Sequence, residues 1–258
     1  MADKILLVGI NKYRNSPLNG CVNDVTDMAS FLVKYYGVSS GDIRLLVDER
    51  ATTKAILERL NWLTDVKPGD RCLFQFSGHG TQVATRDRRQ EVDGLDEVIC
   101  PVDFNWSDAY MIRDKQFNQI FSRIPAGVKF NWISDSCHSG DLTRDMNVIR
   151  SYPIPADVAW RNRVASQKGF TAKAINANIT NLNVGYISGC RSNQTSADAF
   201  IHNRPNGALT YYLIRELEKA PKASIIEICK SVNHRLMGDG YGQQPQAEGI
   251  RANQPFLG

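Results

Sequence analysis

Through the first 140 residues, short apolar runs alternate with stretches of helical period, and that alternation admits few architectures. Lys4–Ile10, Ile43–Val47, Arg71–Ser77 and Val128–Ser134 read as strands. Cys21–Tyr36, Thr52–Asp65 and Asp114–Ile124 read as helices, with Thr52 or Thr53 placed to cap the second. Strands separated by helices pack as a mostly parallel sheet covered on both faces. At 258 residues the chain can bury a sizeable core as one large domain.

From about Asp141 to Leu182 the pattern fails, and prolines, arginines and small polar residues dominate. So long a stretch without period points to a functional or mobile segment. Order returns with a strand at Asn183–Ser188 and helices near Gly207–Lys219 and Ser224–Met237. A last strand is expected near Gln244–Glu248.

The net charge of +4 is too small to signal nucleic acid. The densest basic cluster, Arg86, Arg88 and Arg89, is followed at once by Glu91, Asp93, Asp96 and Glu97, which reads as a solvated loop. The opening MADKILLVGI is too short for a signal peptide or a membrane span, so the expected setting is cytoplasmic, with no membrane partner. Six scattered cysteines, none in a CxxC pair, suggest reduced thiols.

Two motifs share one context. RCLFQF-SGHG puts His79 just past the end of an apolar strand, and KFNWIS-DSCHSG does the same for Cys137. In open α/β sheets, ligands bind beyond the carboxyl ends of strands. Adjacent strands would therefore bring His79 and Cys137 together. A thiol at its usual pKa is little ionised at neutral pH. A nearby imidazole can take its proton, or as imidazolium hold the thiolate. The backbone N–H groups of Gly80 and Cys137 are candidate oxyanion donors. The rival is zinc, with His79, Cys137 and His138 as ligands, but no partner pair lies at finger-like spacing. A phosphate-binding module is a weaker alternative, since the Gly-rich MGDGYG at 237–242 follows a helix rather than a strand.

At these residues the chain resembles the metacaspases. The likeness extends to LNGCVNDV at 18–25, GLDEVICPVDF at 94–104, SGCRSNQTSADA at 188–199 and NGALTYYL at 206–213. The Gln-Ala-Cys signature of true caspases is absent. The resemblance implies an α/β caspase-like sandwich around a mostly parallel six-stranded sheet. It implies a large-subunit-like region over 1–145, an irregular linker over 146–182 and a small-subunit-like region over 183–258, in the short form without a prodomain.

It also implies a cysteine endopeptidase that cuts protein or peptide substrates after Arg or Lys, or else a catalytically idle scaffold of the same family. A pocket for a basic side chain needs carboxylate to pair with the desolvated cation. Asp24 and Asp135 match the family's pocket residues, as do Cys21 and Ser77; Asp198 is a further candidate. Asp24 could instead serve as a first-turn helix acid. Self-cleavage candidates in the linker region are Arg144, Arg150, Arg161, Arg163, Lys168 and Lys173. No cofactor is required, but several members are activated by calcium, for which Asp96, Asp114 and Asp145 are the candidates here. Arg113 stands where the family often has another aspartate, and an arginine repels the ion. A monomer is expected.

Overall fold

The central strands are apolar on both sides because both sides are covered. The computed structural model describes residues 1–85, 94–137, 148–166, 181–190 and 196–258. Its main sheet contains β1 (Asp3–Gly9), β2 (Ile43–Val47), β3 (Arg71–Ser77), β7 (Lys129–Asp135), β9 (Gly185–Ser188) and β12 (Gln246–Glu248). They lie in the order β12-β9-β7-β3-β1-β2, and all pairs are parallel except β12 with β9.

Alternate side chains of one strand serve different cores, as the pleat requires. Leu6, Val8, Phe74, Phe76, Phe130 and Trp132 pack on one face against Ile56 and Leu60 of α2 (Thr53–Thr64) and Phe117 and Phe121 of α3 (Asp114–Phe121). Ile5, Leu7, Leu73, Ile133 and Ile187 pack on the other. There they meet α1 (Cys21–Tyr36), α5 (Ala208–Lys219) and α6 (Ile225–Gly238) through Val25, Met28, Leu209, Leu213, Ile228 and Val232. Each such side chain contributes about 1.5–3 kcal/mol by leaving water.

Helix ends follow their local chemistry. Thr52 caps α2 by accepting from Ala55 N at 3.3 Å. Ser224 and Glu227 form a capping box at the start of α6. α1 ends at Gly37, which takes the left-handed conformation (φ 64°). α3 stops at Phe121 instead of Ile124, a few residues short of Pro125.

Two small sheets flank the site end of the molecule. β4 (Gly80–Ala84), β5 (Leu95–Ile99) and β6 (Ile112–Arg113) form one; β8 (Val148–Ile149), β10 (Ala197–Ile201) and β11 (Arg204–Gly207) form the other. The linker also departs from expectation. It is not wholly irregular, because Ala156–Ser166 forms a helix, α4. None of its residues is buried and Trp160 is 61% exposed, so no apolar period marks it in the sequence. It is tied to β4 by Asn162 Nδ2 donating to Gln82 O at 2.8 Å. Among the described residues no helix is long and apolar enough to cross a membrane.

Candidate active site

β3 and β7 are hydrogen-bonded neighbours, with Ser77 opposite Asp135 at their carboxyl ends. His79 and Cys137 each lie two residues further on, so the register alone puts them at one edge. Gly78 N donates to Asp135 O at 3.4 Å and joins the two turns. A side chain at Gly78 would strike Tyr13 Oη at 2.5 Å, which explains the glycine.

The imidazole of His79 is fully buried. Its Nε2 lies 2.6 Å from the Ser16 carbonyl. A carbonyl only accepts, so Nε2 carries the proton and Nδ1 is left free to take one. Nδ1 is buried without a well-formed hydrogen bond, against the Arg150 backbone. Burial pushes the His79 pKa down to about 4, and the nearby Arg150 charge adds to this. The neutral ring is therefore the resting form at neutral pH, which suits proton acceptance better than a standing imidazolium. Tyr13 fixes the ring from the side, with centroids 4.5 Å apart, and its hydroxyl accepts from His79 N at 3.0 Å.

Cys137 is also buried. Its sulfur receives a short hydrogen bond from Ser196 N. Cys190 hydrogen-bonds the same thiol, and this bond with burial pushes its own pKa well up. One carbonyl bridges the turns that carry His79 and Cys137. Arg150 O accepts from Gly80 N at 3.0 Å and from Cys137 N at 3.2 Å. These are the two amides identified from sequence as oxyanion donors. Arg150 N in turn donates to Ser196 O at 3.2 Å.

The Arg150 side chain is fully buried and surrounded by acids. Its Nη2 lies 2.8 Å from Asp24 Oδ2 and 3.0 Å from Asp198 Oδ1, and its Nη1 lies 3.2 Å from Asp135 Oδ1. Each acid is held by backbone as well. Asp24 Oδ1 accepts from Gly207 N at 2.7 Å, and Asp135 Oδ2 from Thr210 N at 3.0 Å, at the positive end of α5. Asp198 accepts from Asn19 N at 2.8 Å and Gly20 N at 2.9 Å. Burial raises the Asp24 pKa to about 7, Arg150 opposes that rise, and the Asp135 charge reinforces it.

The structure brings together Cys21, Asp24, Ser77, Asp135 and Asp198, all buried. Burial pushes the Cys21 thiol well up, against the pull of the Arg150 charge. Ser77 Oγ accepts from Gln75 Nε2 at 3.4 Å. Asp24 lies in the first turn of α1, as a helix acid would, and also pairs with Arg150. Sequence reasoning missed Ser16, Tyr13, Ser196, Thr210 and Gly207. A Cβ at Gly207 would fall 2.7 Å from Asp24 Oδ2 and into the Arg150 guanidinium, so the residue keeps the pocket open. Ser196 lay inside the quoted QTSAD block and Gly207 inside NGALTYYL, the one signal available.

The calcium candidates are less well arranged. Asp96 already pairs with Arg113 Nη1 at 2.6 Å and Lys115 Nζ at 2.7 Å. Asp114 Oδ1 accepts from Lys115 N at 2.8 Å. Asp145 lies outside the described residues. Among the described residues no group of three or more His, Cys, Asp or Glu is set to hold a metal, and two fixed cations on Asp96 do not fit calcium. The zinc alternative involved His138, which also lies outside the described residues.

Three kinds of likeness accompany this geometry. Residues 3–145 match the family profile described as metacaspase, peptidase C14 domain. Metacaspase-1 of Scheffersomyces stipitis is 32% identical over 94% of this chain and 69% of its own length. Metacaspase-1 of Meyerozyma guilliermondii is 31% identical over 94% of this chain and 68% of its own. A crystal structure of a Geobacter sulfurreducens protein superposes with a TM-score of 0.71 at 25% identity, covering 99% of this chain and 98% of that one. Caspase-1 of Spodoptera frugiperda superposes with a TM-score of 0.63 at 12% identity, covering 99% and 89%. That last likeness is one of fold.

Proposed function

The chain belongs to the metacaspase, peptidase C14 family and is thus a cysteine-type peptidase, and from that premise we propose that it cuts protein and peptide substrates after Arg or Lys, its own Arg150–Ser151 bond among them. The observation that carries the reading is the pose of Arg150. Its carbonyl bridges Gly80 N and Cys137 N, and its guanidinium sits among three aspartates.

The proposed reaction runs in two halves. Cys137 Sγ attacks the carbonyl carbon while His79 Nδ1 accepts the thiol proton. Negative charge grows on the carbonyl oxygen, between two amides already pointed at it. The C–N bond breaks, and His79 returns its proton to the leaving amine. Water, deprotonated by His79, then hydrolyses the thioester and frees Cys137.

Among the other self-cleavage candidates, Arg161 and Arg163 lie on α4, where the backbone is helical and not available as an extended strand. Arg144, Lys168 and Lys173 lie outside the described residues. We carry a monomer in this reading, because the far edge of the sheet is β12, only three residues long.

The test is to express the wild-type chain and Cys137→Ala and to weigh the products. The wild-type chain should yield fragments 1–150 and 151–258 and should hydrolyse Arg peptides. The variant should stay intact, with peptide turnover reduced by about a thousandfold or more. A wild-type chain that stays intact and hydrolyses neither Arg nor Lys peptides would overturn the proposal.

A further inference from the structure

The chain continues past β8 through Arg150 into the cleft, and its next two residues are also held by Gly80. Ser151 bridges in parallel to Gly80. Tyr152 N donates to Gly80 O at 2.9 Å. Gly80 therefore grips the chain on both sides of the Arg150–Ser151 bond, through its N–H before the bond and its carbonyl after it. Pro153 follows and is exposed, so the chain leaves the cleft there.

Tyr152 is only 6% exposed; its hydroxyl hydrogen-bonds the Asn15 side chain, and four rings surround its own. Phe104 stands edge-on at 5.0 Å, His79 at 5.4 Å, and Tyr13 and Trp106 each at 6.0 Å between centroids. The rings come from three separate segments, following β1, β3 and β5. Trp106 has a φ of 69°, a left-handed conformation that costs a non-glycine residue roughly 1–2 kcal/mol. The turn is held by Asn105 Oδ1, which accepts from Ser107 N at 3.1 Å and Ser107 Oγ at 2.8 Å. Backbone strain is thus spent on placing one indole beside the cleft. Tyr152, Tyr13 and Phe104 also belong to the core on the α2 face of the sheet, so the ring is packed as core while it stands two residues after Arg150 and beside the imidazole.

We infer that these rings form a second specificity pocket, on the leaving-group side, for an aromatic side chain two residues after the cut bond. The inference rests on the peptidase reading above and adds a substrate class to it: chains with the pattern basic residue, any residue, aromatic residue. Phe104, Trp106 and Tyr13 line the pocket, and His79 joins it to the site of bond cleavage. An aromatic residue there would also hold the scissile bond in register with Gly80.

The test uses internally quenched peptides Val-Ile-Arg-Ser-X-Pro with X as Tyr, Leu or Ala, and the wild-type and Trp106→Leu proteins. For the wild type, kcat/KM with Tyr should exceed that with Ala by about ten- to a hundredfold, the scale of burying one aromatic ring, with Leu between them. In Trp106→Leu the Tyr-to-Ala ratio should fall towards one. In the chain itself, Tyr152→Ala should slow cleavage after Arg150 by a similar factor, a readout that does not depend on the Trp106 variant folding. Equal wild-type rates with Tyr and Ala would overturn the pocket while leaving the peptidase reading intact. Cleavage of none of the peptides would overturn both.

Discussion

Two acidic sites in this molecule hold cations supplied by the chain itself, in different ratios. In the cleft, three buried carboxylates, Asp24, Asp135 and Asp198, share one guanidinium. At the other site one carboxylate, Asp96, takes both Arg113 and Lys115, with Arg113 also reaching Asp108 at 2.7 Å. Among the described residues the first site pairs three carboxylates with one cation and the second pairs two carboxylates with two. The cations are also delivered differently. Arg150 arrives just past β8 with its carbonyl held by Gly80 N and Cys137 N, whereas Arg113 and Lys115 are fixed at the start of α3. On the proposed reading Arg150 leaves the cleft after cleavage, and the buried charge left behind, which costs several kcal/mol uncompensated, takes up another cation. A site permanently neutralised by its own helix does not.

The largest effect should come from removing one of the three cleft acids. Asp135→Asn should lower kcat/KM for Arg peptides by about a hundred- to a thousandfold, since breaking a buried charge pair costs 2–5 kcal/mol. Asp96→Asn, at the other site, should change it by less than about threefold. The loss in Asp135→Asn should fall on turnover more than on folding, because the substitution also relieves repulsion among the acids. A thermal melt beside the peptide assay separates the two. If Asp135→Asn retained Arg cleavage, the contrast between the sites would collapse.

The excess charge also predicts a pH dependence. Asp24 titrates near 7 with Arg150 in place, and that charge is what opposes a higher value. An empty pocket should hold its proton to still higher pH. An incoming Arg must displace the proton, so its binding strengthens as pH rises above about 7 towards the higher pKa of the empty pocket. KM for Arg peptides should fall by up to about tenfold per pH unit across that range. His79 titrates near 4, so it does not produce this limb. Asp24→Asn should flatten it, and an unaltered limb would sink the assignment. Stability moves the other way at this residue. Its folded pKa lies above the ordinary 3.8, so its contribution is fully present below that value and lost as pH rises through about 7. For His79, whose pKa is depressed from 6.5, the contribution is present above 6.5 and lost as pH falls through about 4.

The comparison also marks where sequence was legible. Strands such as Arg71–Ser77 and helices such as Cys21–Tyr36 carry their own period, because each buries a face against the sheet. The turns with His79 and Cys137 were legible because a reactive side chain after an apolar strand has few other uses. α4 was not, since it buries nothing and has no period to read. β4, β5 and β10 were not, since their partners and register are set by contacts distant in sequence. Arg150 was visible only as one basic residue among six. Choosing it needed the fact that residue 150 lies beside residues 80, 137 and 196, which no local pattern encodes. Ser16 acts through its backbone carbonyl, and a carbonyl has no sequence signature.

The smallest expected effect is at the second site, and there the expected result in the wild type is no change. With Asp96 held by Arg113 and Lys115, added calcium finds a carboxylate already neutralised, and the two cations repel the ion. Peptide turnover by the wild-type chain should therefore be the same in millimolar calcium and in excess chelator. Arg113→Asp sharpens the point, because it removes one cation and adds an acid beside Asp114 and near Asp96. In that variant calcium should raise Tm, by about 1.4 kcal/mol of added stability once the ion is at ten times its Kd. In the wild type the melt should not move. Wild-type turnover that collapses in chelator would show that charge ratio in the resting structure does not decide ligand demand, and the contrast between the two acidic sites would fail at its simpler end.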